Sequence, residues 1–225
     1  VCSLWLDGWK ATNEAPWRRR LKQVPFDFQE HMVHESTWSK IDARRNLLMA
    51  ATPDGRLVVR AGSEVRILDR SMRVLQKVAG KYHGFIAVSD DSVFHACNDE
   101  GVLHRSSHDG TVEAEFQLEQ LEDYSMFGSL VLAPGGLLFC VIRGEDFEDA
   151  IIALDAQTLQ LRHHFGQGLL GEAQQLAVGG DELYVCDYHR LEVFSLTGEH
   201  RRSIVGEWRA PEQLCFEKDR LYLVE

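Results

Sequence analysis

From Asn46 onward, apolar runs of four to seven residues alternate with tight polar turns in one recurring order. A short run comes first, then a turn, a second run, a polar gap, a third run ending in a turn, and a fourth run. The first copy is NLLMAATPDGRLVVRAGSEVRILDRSMRVLQKVAG and the second GFIAVSDDSVFHACNDEGVLHRSSHDGTVEAEFQL. The third is SLVLAPGGLLFCVIRGEDFEDAIIALDAQTLQLRHHFG and the fourth QLAVGGDELYVCDYHRLEVFSLTGEHRRSIVG, while a fifth starts at QLCFEKDRLYLVE and contributes two runs. Runs this short, rich in Val, Ile, Leu, Phe and Tyr, predict β-strands. The apolar residues after the first turn, Leu57, Val93, Leu138, Leu183 and Leu221, are separated by 36, 45, 45 and 38 residues. That matches the roughly 40–50 residues of a propeller blade. Turn-forming residues fall where the order requires them: Pro53-Asp54-Gly55, Asp90-Asp91, Pro134-Gly135-Gly136, Gly179-Gly180-Asp181, Asp109-Gly110 and Thr197-Gly198.

A single four-stranded sheet buries too little surface to stand alone. Stacked radially, such sheets cover one another's faces and leave only short edges. The pattern therefore predicts an all-β fold, a β-propeller of four-stranded antiparallel blades, with four complete blades and part of a fifth visible and five or six in the intact protein. An open β-sandwich does not require the same order of runs and turns to recur five times. Residues 43–225 form the expected propeller. Residues 1–42 read as an irregular segment, a linker or partial blade, with a short helix over WRRRLKQ capped by Thr12 or Asn13 and entered at Pro16. Val1 in place of Met, and Glu225 within an apolar run, suggest a chain cut at both ends.

Composition sharpens the boundary. Four of the five tryptophans, Trp5, Trp9, Trp17 and Trp38, lie before Asp42, where six basic side chains balance six acidic ones. The net charge of −11 therefore belongs wholly to the propeller region, with 29 acidic against 18 basic residues. Such a surface repels phosphate backbones unless basic groups are locally concentrated. No run approaches the ~18 apolar residues that span a bilayer, so no membrane role is expected. The cysteines (Cys2, Cys97, Cys140, Cys186 and Cys215) are odd in number and lack paired or zinc-type spacing. Free thiols within apolar runs point to an intracellular, cytoplasmic setting.

The fourth copy, in the stretch LYVCDYHRLEVFSLTGE, resembles an NHL repeat. The matching positions are Asp187, Arg190, Leu191, Val193, Phe194 and Gly198. The first copy shares the strand VRILD, and the others depart further; the Trp-Asp and Gly-His marks of WD40 repeats are missing. The resemblance implies that Asp187 and Arg190 tie the loop between second and third strands to the blade. It also implies a six-bladed ring whose rim binds protein or, in some members, single-stranded RNA.

Candidate chemistry is sparse. The inner runs LLMAA, FIAVS, SLVLA, QLAVG and QLCFE carry almost no Asp, Asn or His, so neither a metal nor another cofactor is expected and the chain reads as non-enzymatic. His163 and His164 fall on opposite strand faces. His104/His108 and His31/His34 lack converging partners. Ser125, Ser129 and Ser195 have no nucleophile-elbow setting, and GQGLLG (166–171) lacks the strand-to-helix context of a phosphate cradle. The rim is more informative. Loops between second and third strands present Glu64, Asp99, Glu100, Glu145, Asp146, Glu148 and Asp149, together with Tyr188, His189 and Arg190. Inter-blade loops at the same end add Lys81, Tyr82, His83, Tyr124, Met126, Phe127, Trp208 and Arg209. Aromatics and Met among charges suit protein binding, and a basic segment is the best charge match for this acidic rim. The expected function is a scaffold for protein–protein interaction. Single-stranded RNA binding is the alternative, and a metal-dependent lyase or hydrolase using the central channel the second.

Overall fold

The computed structural model describes residues 47–51, 56–61, 64–69, 71, 73–78, 85–144, 148–206, 213–217 and 220–224. The expected helix over WRRRLKQ, and with it the whole of residues 1–42, lies outside the described residues.

Among the described residues the alternating runs form eighteen strands in five sheets. Blade 1 comprises β1 (Leu47–Ala51), β2 (Leu57–Ala61), β3 (Glu64–Leu68) and β4 (Val74–Val78). Blade 2 comprises β5 (Ile86–Val88), β6 (Ser92–Cys97), β7 (Val102–Ser107) and β8 (Val112–Gln117). Blade 3 has β9 (Tyr124–Ala133), β10 (Leu137–Gly144), β11 (Asp149–Asp155) and β12 (Leu161–Leu170), and blade 4 has β13 (Ala173–Gly179), β14 (Glu182–Asp187), β15 (Arg190–Ser195) and β16 (His200–Val205). β17 (Gln213–Glu217) and β18 (Arg220–Val224) begin blade 5. Each sheet is an antiparallel meander in chain order. Its first strand lies beside the first strand of the next, so β1, β5, β9, β13 and β17 follow one another along the inner side. This is the β-propeller arrangement. Among the described residues there is no α-helix, and none long and apolar enough to cross a membrane; one 3-10 turn, Leu118–Gln120, leads from blade 2 to blade 3.

Period-two alternation explains how the blades stack. Leu138 through Ile142 in β10 are all 0% exposed, but their side chains serve two different cores. Leu138, Cys140 and Ile142 join Phe94, Leu103, Phe116 and Phe127 between blades 2 and 3. Phe139 and Val141 join Leu183, Val185 and Phe194 between blades 3 and 4. Blade 5 docks by the same rule: the Phe216 ring stacks on Tyr184 and covers Gly179, where a Cβ atom would collide with it.

The repeat is also visible at the third turn. Asp69, Ser107, Asp155 and Ser195 occupy one corner, and each donates its backbone N–H to a carbonyl four or five residues ahead: Arg73, Thr111, Gln160 and Glu199. The residue before each corner, Leu68, Ser106, Leu154 or Phe194, pairs across to Leu57, Val93, Leu138 or Leu183. The marker residues legible in the sequence are therefore equivalent in space.

One buried base shapes the stability. His95 faces its register partner His104 at 5.1 Å between ring centroids, and His95 Nε2 lies 3.1 Å from Ser106 Oγ. Burial, and secondarily the neighbouring His104, push the His95 imidazole from the usual 6.5 down to about 3. The folded chain keeps it neutral where the unfolded chain protonates it, so its contribution is complete above pH 6.5 and is lost as pH falls toward 3. The expected result is an acid limb with an added slope approaching about 1.4 kcal/mol per pH unit, flattened in His95→Gln, measured by urea denaturation from pH 7 to 4.

Candidate binding rim

The second-to-third-strand loops and the inter-blade loops share one end of the stack, because strands alternate in direction. Polar groups at that end tie blades 2 and 3 to the chain entering the next blade, and in blade 4 hold the loop that enters it. Asn98, after β6, accepts the Phe127 N–H through Oδ1 at 2.8 Å and donates from Nδ2 to the Phe127 carbonyl at 3.1 Å. Asp149, opening β11, accepts the Ala173 N–H at 2.8 Å. Ser129 Oγ in β9 accepts the Leu176 N–H and donates to Gln175 Oε1 in β13, both at 3.2 Å. In blade 4, Asp187 Oδ1 accepts the N–H groups of Gly171 at 3.0 Å and Glu172 at 2.7 Å. Asp187 Oδ2 takes Arg190 Nε at 3.2 Å and Nη2 at 3.1 Å, while Arg190 Nη2 also donates to the Leu169 carbonyl at 2.8 Å.

These ties determine what the rim displays. Between Asp187 and Arg190 remain two residues, Tyr188 and His189. Tyr188 sits at φ 52°, a left-handed conformation that glycine adopts freely and tyrosine rarely. Its ring is 48% exposed and lies 3.8 Å from that of His189. The hairpin thus holds an aromatic pair in solvent on a clamped base. Met126, at the start of the inner strand of blade 3, is 46% exposed, and Tyr124 beside it is half-buried. Burial raises the Tyr124 hydroxyl above its ordinary value; a hydrogen bond from Gln167 opposes this, and the nearby Asp123, Glu148 and Asp149 carboxylates add to it.

Two expected rim residues are buried. Phe127 is 0% exposed and packs edge-on against Phe116 at 6.4 Å, because strand alternation turns it inward where Met126 turns out. Asp149 is 4% exposed and spends its carboxylate on Ala173; burial lifts its pKa, with the Ala173 N–H and Arg143 partly offsetting the rise. Asp99, Glu100 and Glu148 are exposed at the rim, and Glu64 opens β3 at the same end. Lys81, Tyr82, His83, Glu145, Asp146, Trp208 and Arg209 lie outside the described residues. Asn98, Ser129 and Gln175 escaped the sequence reading. A polar residue at the end of the second strand in both copies, Asn98 and Asp187, was the available signal.

The two ends of the stack use their acids differently. At the opposite end, Asp69 accepts the Ser71 and Arg73 N–H groups, Asp155 those of Gln157 and Thr158, and Asp109 that of Thr111 together with the Ser107 hydroxyl. The Arg73 N–H and the Ser71 hydroxyl hold the Asp69 carboxyl below its usual range, the Ser107 hydroxyl and Thr111 N–H hold Asp109 at about 2, and Arg162, ahead of Thr158, lowers Asp155. Asp181 and Glu182 pair with Arg201, and Glu182 also with Arg202; Glu199 is an exception. At the rim, Asp99, Glu119, Glu122, Asp123, Glu148 and Glu172 make no ion pair among the described residues. Nor do three or more His, Cys, Asp or Glu converge anywhere among those residues in a way that could hold a metal ion.

No protein-family model and no curated protein matches the sequence. Solved structures do match its fold. A computationally designed protein, Ika8, aligns at TM-score 0.58 and 17% identity over 79% of this chain and 54% of its own. KlHsv2 with its loop 6CD replaced by a Gly-Ser linker aligns at TM-score 0.57 and 14% identity over 81% of this chain and 62% of its own. Saccharomyces cerevisiae Sqt1 aligns at 0.55 and 14% over 71% of this chain and 47% of its own. The chain is similar in fold to these structures and spans about half to three-fifths of their length. With the blade order above, they place it in the class of β-propellers.

The geometry separates neighbours in sequence. Phe127→Ala should cost about 3–5 kcal/mol by opening the blade 2–3 core, whereas Met126→Ala should stay within about 0.5 kcal/mol. Asp187→Ala, which orphans two backbone N–H groups and removes one of the partners of Arg190, should cost on the order of 3 kcal/mol, with Asp187→Asn milder. Equilibrium urea denaturation measures all four.

Proposed function

We propose that this propeller is a non-enzymatic scaffold that binds a protein partner through the rim carrying Tyr188, His189 and Met126, with a basic segment as the preferred target. The observation that carries this reading is the Tyr188–His189 hairpin. A tyrosine kept exposed at positive φ costs on the order of 1 kcal/mol, and it sits on a base clamped by Asp187 and Arg190. A rigid aromatic of this kind loses little entropy on binding and suits an interface anchor. The exposed carboxylates of Asp99, Glu122, Asp123 and Glu148 at this end support a cationic partner through opposite charge. The same Asp187–Arg190 tie supports an NHL-type blade. The free thiols of Cys97, Cys140 and Cys186 support an intracellular protein.

The test is a pull-down with the purified chain at low and high salt, analysed for protein and RNA. A recovered protein partner should lose at least about tenfold in affinity with Tyr188→Gly. That variant keeps the hairpin, since glycine adopts φ 52° freely. Met126→Ala should weaken the same partner, and Thr158→Ala at the opposite end should not. Enrichment of RNA, with a steep loss on raising salt, would reverse the assignment of partner class.

A further inference from the structure

Blade 4 also contains a buried carboxylate that rim binding does not use. Glu192 in β15 is 0% exposed. Its Oε2 accepts a hydrogen bond from Ser203 Oγ at 2.6 Å and lies 2.7 Å from His200 Nε2. Its Oε1 pairs with Arg190 Nε at 2.7 Å. Ser203 and His200 belong to β16, the outermost strand of the sheet, which pairs with β15 on one side. Ser203 is exposed, in extended backbone, and directly follows Arg201 and Arg202. Those arginines are exposed enough to be engaged from solvent, although they rest on Asp181 and Glu182.

We propose that Ser203 is a phosphorylation site for an arginine-directed protein kinase, and that its modification displaces the Glu192 contacts. In the outer strand Ser203 turns to Glu192 on one face while Arg201 and Arg202 turn to Glu182 on the other, and an extended substrate of this kind offers the hydroxyl and the adjacent guanidiniums to the carboxylates of a kinase cleft. Ser203 Oγ attacks the γ-phosphorus of ATP. The new O–P bond forms as the bond from γ-phosphorus to the bridging oxygen of ADP breaks, and the hydroxyl proton passes to the kinase's catalytic base. The phosphate brings a charge of about −1.5 to −2 against the buried Glu192 carboxylate, and like charges in contact repel. Arg190, which now holds Glu192, is the cation within reach and turns to the phosphate, with His200 Nε2 beside it as a hydrogen-bonding group. Arg190 also grips Asp187 and the Leu169 carbonyl, so the hairpin bearing Tyr188 loosens. This last step alone rests on the rim reading.

The test incubates the folded chain with Mg·ATP and the catalytic subunit of cyclic-AMP-dependent protein kinase, and maps phosphate by tandem mass spectrometry. Phosphate on Ser203 is expected, absent in Ser203→Ala and reduced by about tenfold or more when Arg201 and Arg202 become Ala. Phosphate confined to other residues, or reaching Ser203 only after heat unfolding, would overturn the site. The modified chain should also show faster amide exchange at 187–191 than the unmodified one. Unchanged exchange there would overturn the displacement of the Glu192 contacts. Neither readout requires a rim partner, so failure of the scaffold reading leaves both results interpretable.

Discussion

The structure depends on covering both faces of every sheet. In β10 the consecutive residues Leu138 to Ile142 are all without exposure, and a two-fold side-chain period sends them alternately into separate cores. At roughly 25 cal/mol per Å2 of apolar surface removed from water, neither face can be left bare. Each blade is therefore stable only between two others, and the chain must repeat. The Phe216 ring against Gly179 and Tyr184 extends the same requirement into blade 5.

Apolar stacking is non-directional, so something else must set how each blade meets the next. Polar side chains at the rim do so. Asn98 holds both backbone groups of Phe127, Asp149 holds Ala173, and Asp187 holds Gly171 and Glu172. Each closes hydrogen bonds that a bend between blades would otherwise leave open in a half-buried place. The rim is thus both the joint between blades and the surface on display. Tyr188 and His189 project where they do because the residues on either side of them are anchored.

Asymmetry between the two ends follows from the same bookkeeping of charges. At one end, carboxylates satisfy the backbone of their own turns or pair with arginines. At the other, the inter-blade loops are held by a few buried groups, and Asp99, Glu119, Glu122, Asp123, Glu148 and Glu172 make no ion pair among the described residues. Glu192 lies between these cases: a carboxylate taken out of water is held by three groups of its own blade, one of which, Arg190, also belongs to the rim clamp.

Much of the fold was legible along the chain. Run length, turn residues and the spacing from Leu57 to Leu183 determine the strands, their order within a sheet and the repetition of sheets, because those depend on local alternation and on turns of a few residues. Local alternation also contained the answer for Phe127, which faces inward beside an outward Met126, although loop position alone placed both on the rim. What the sequence could not determine is which polar groups meet across blades. Asn98 finds Phe127 twenty-nine residues away, and Ser129 finds Leu176 forty-seven away. Such partners are selected by how whole sheets stack, and a residue's own neighbours in the chain carry no trace of that distance.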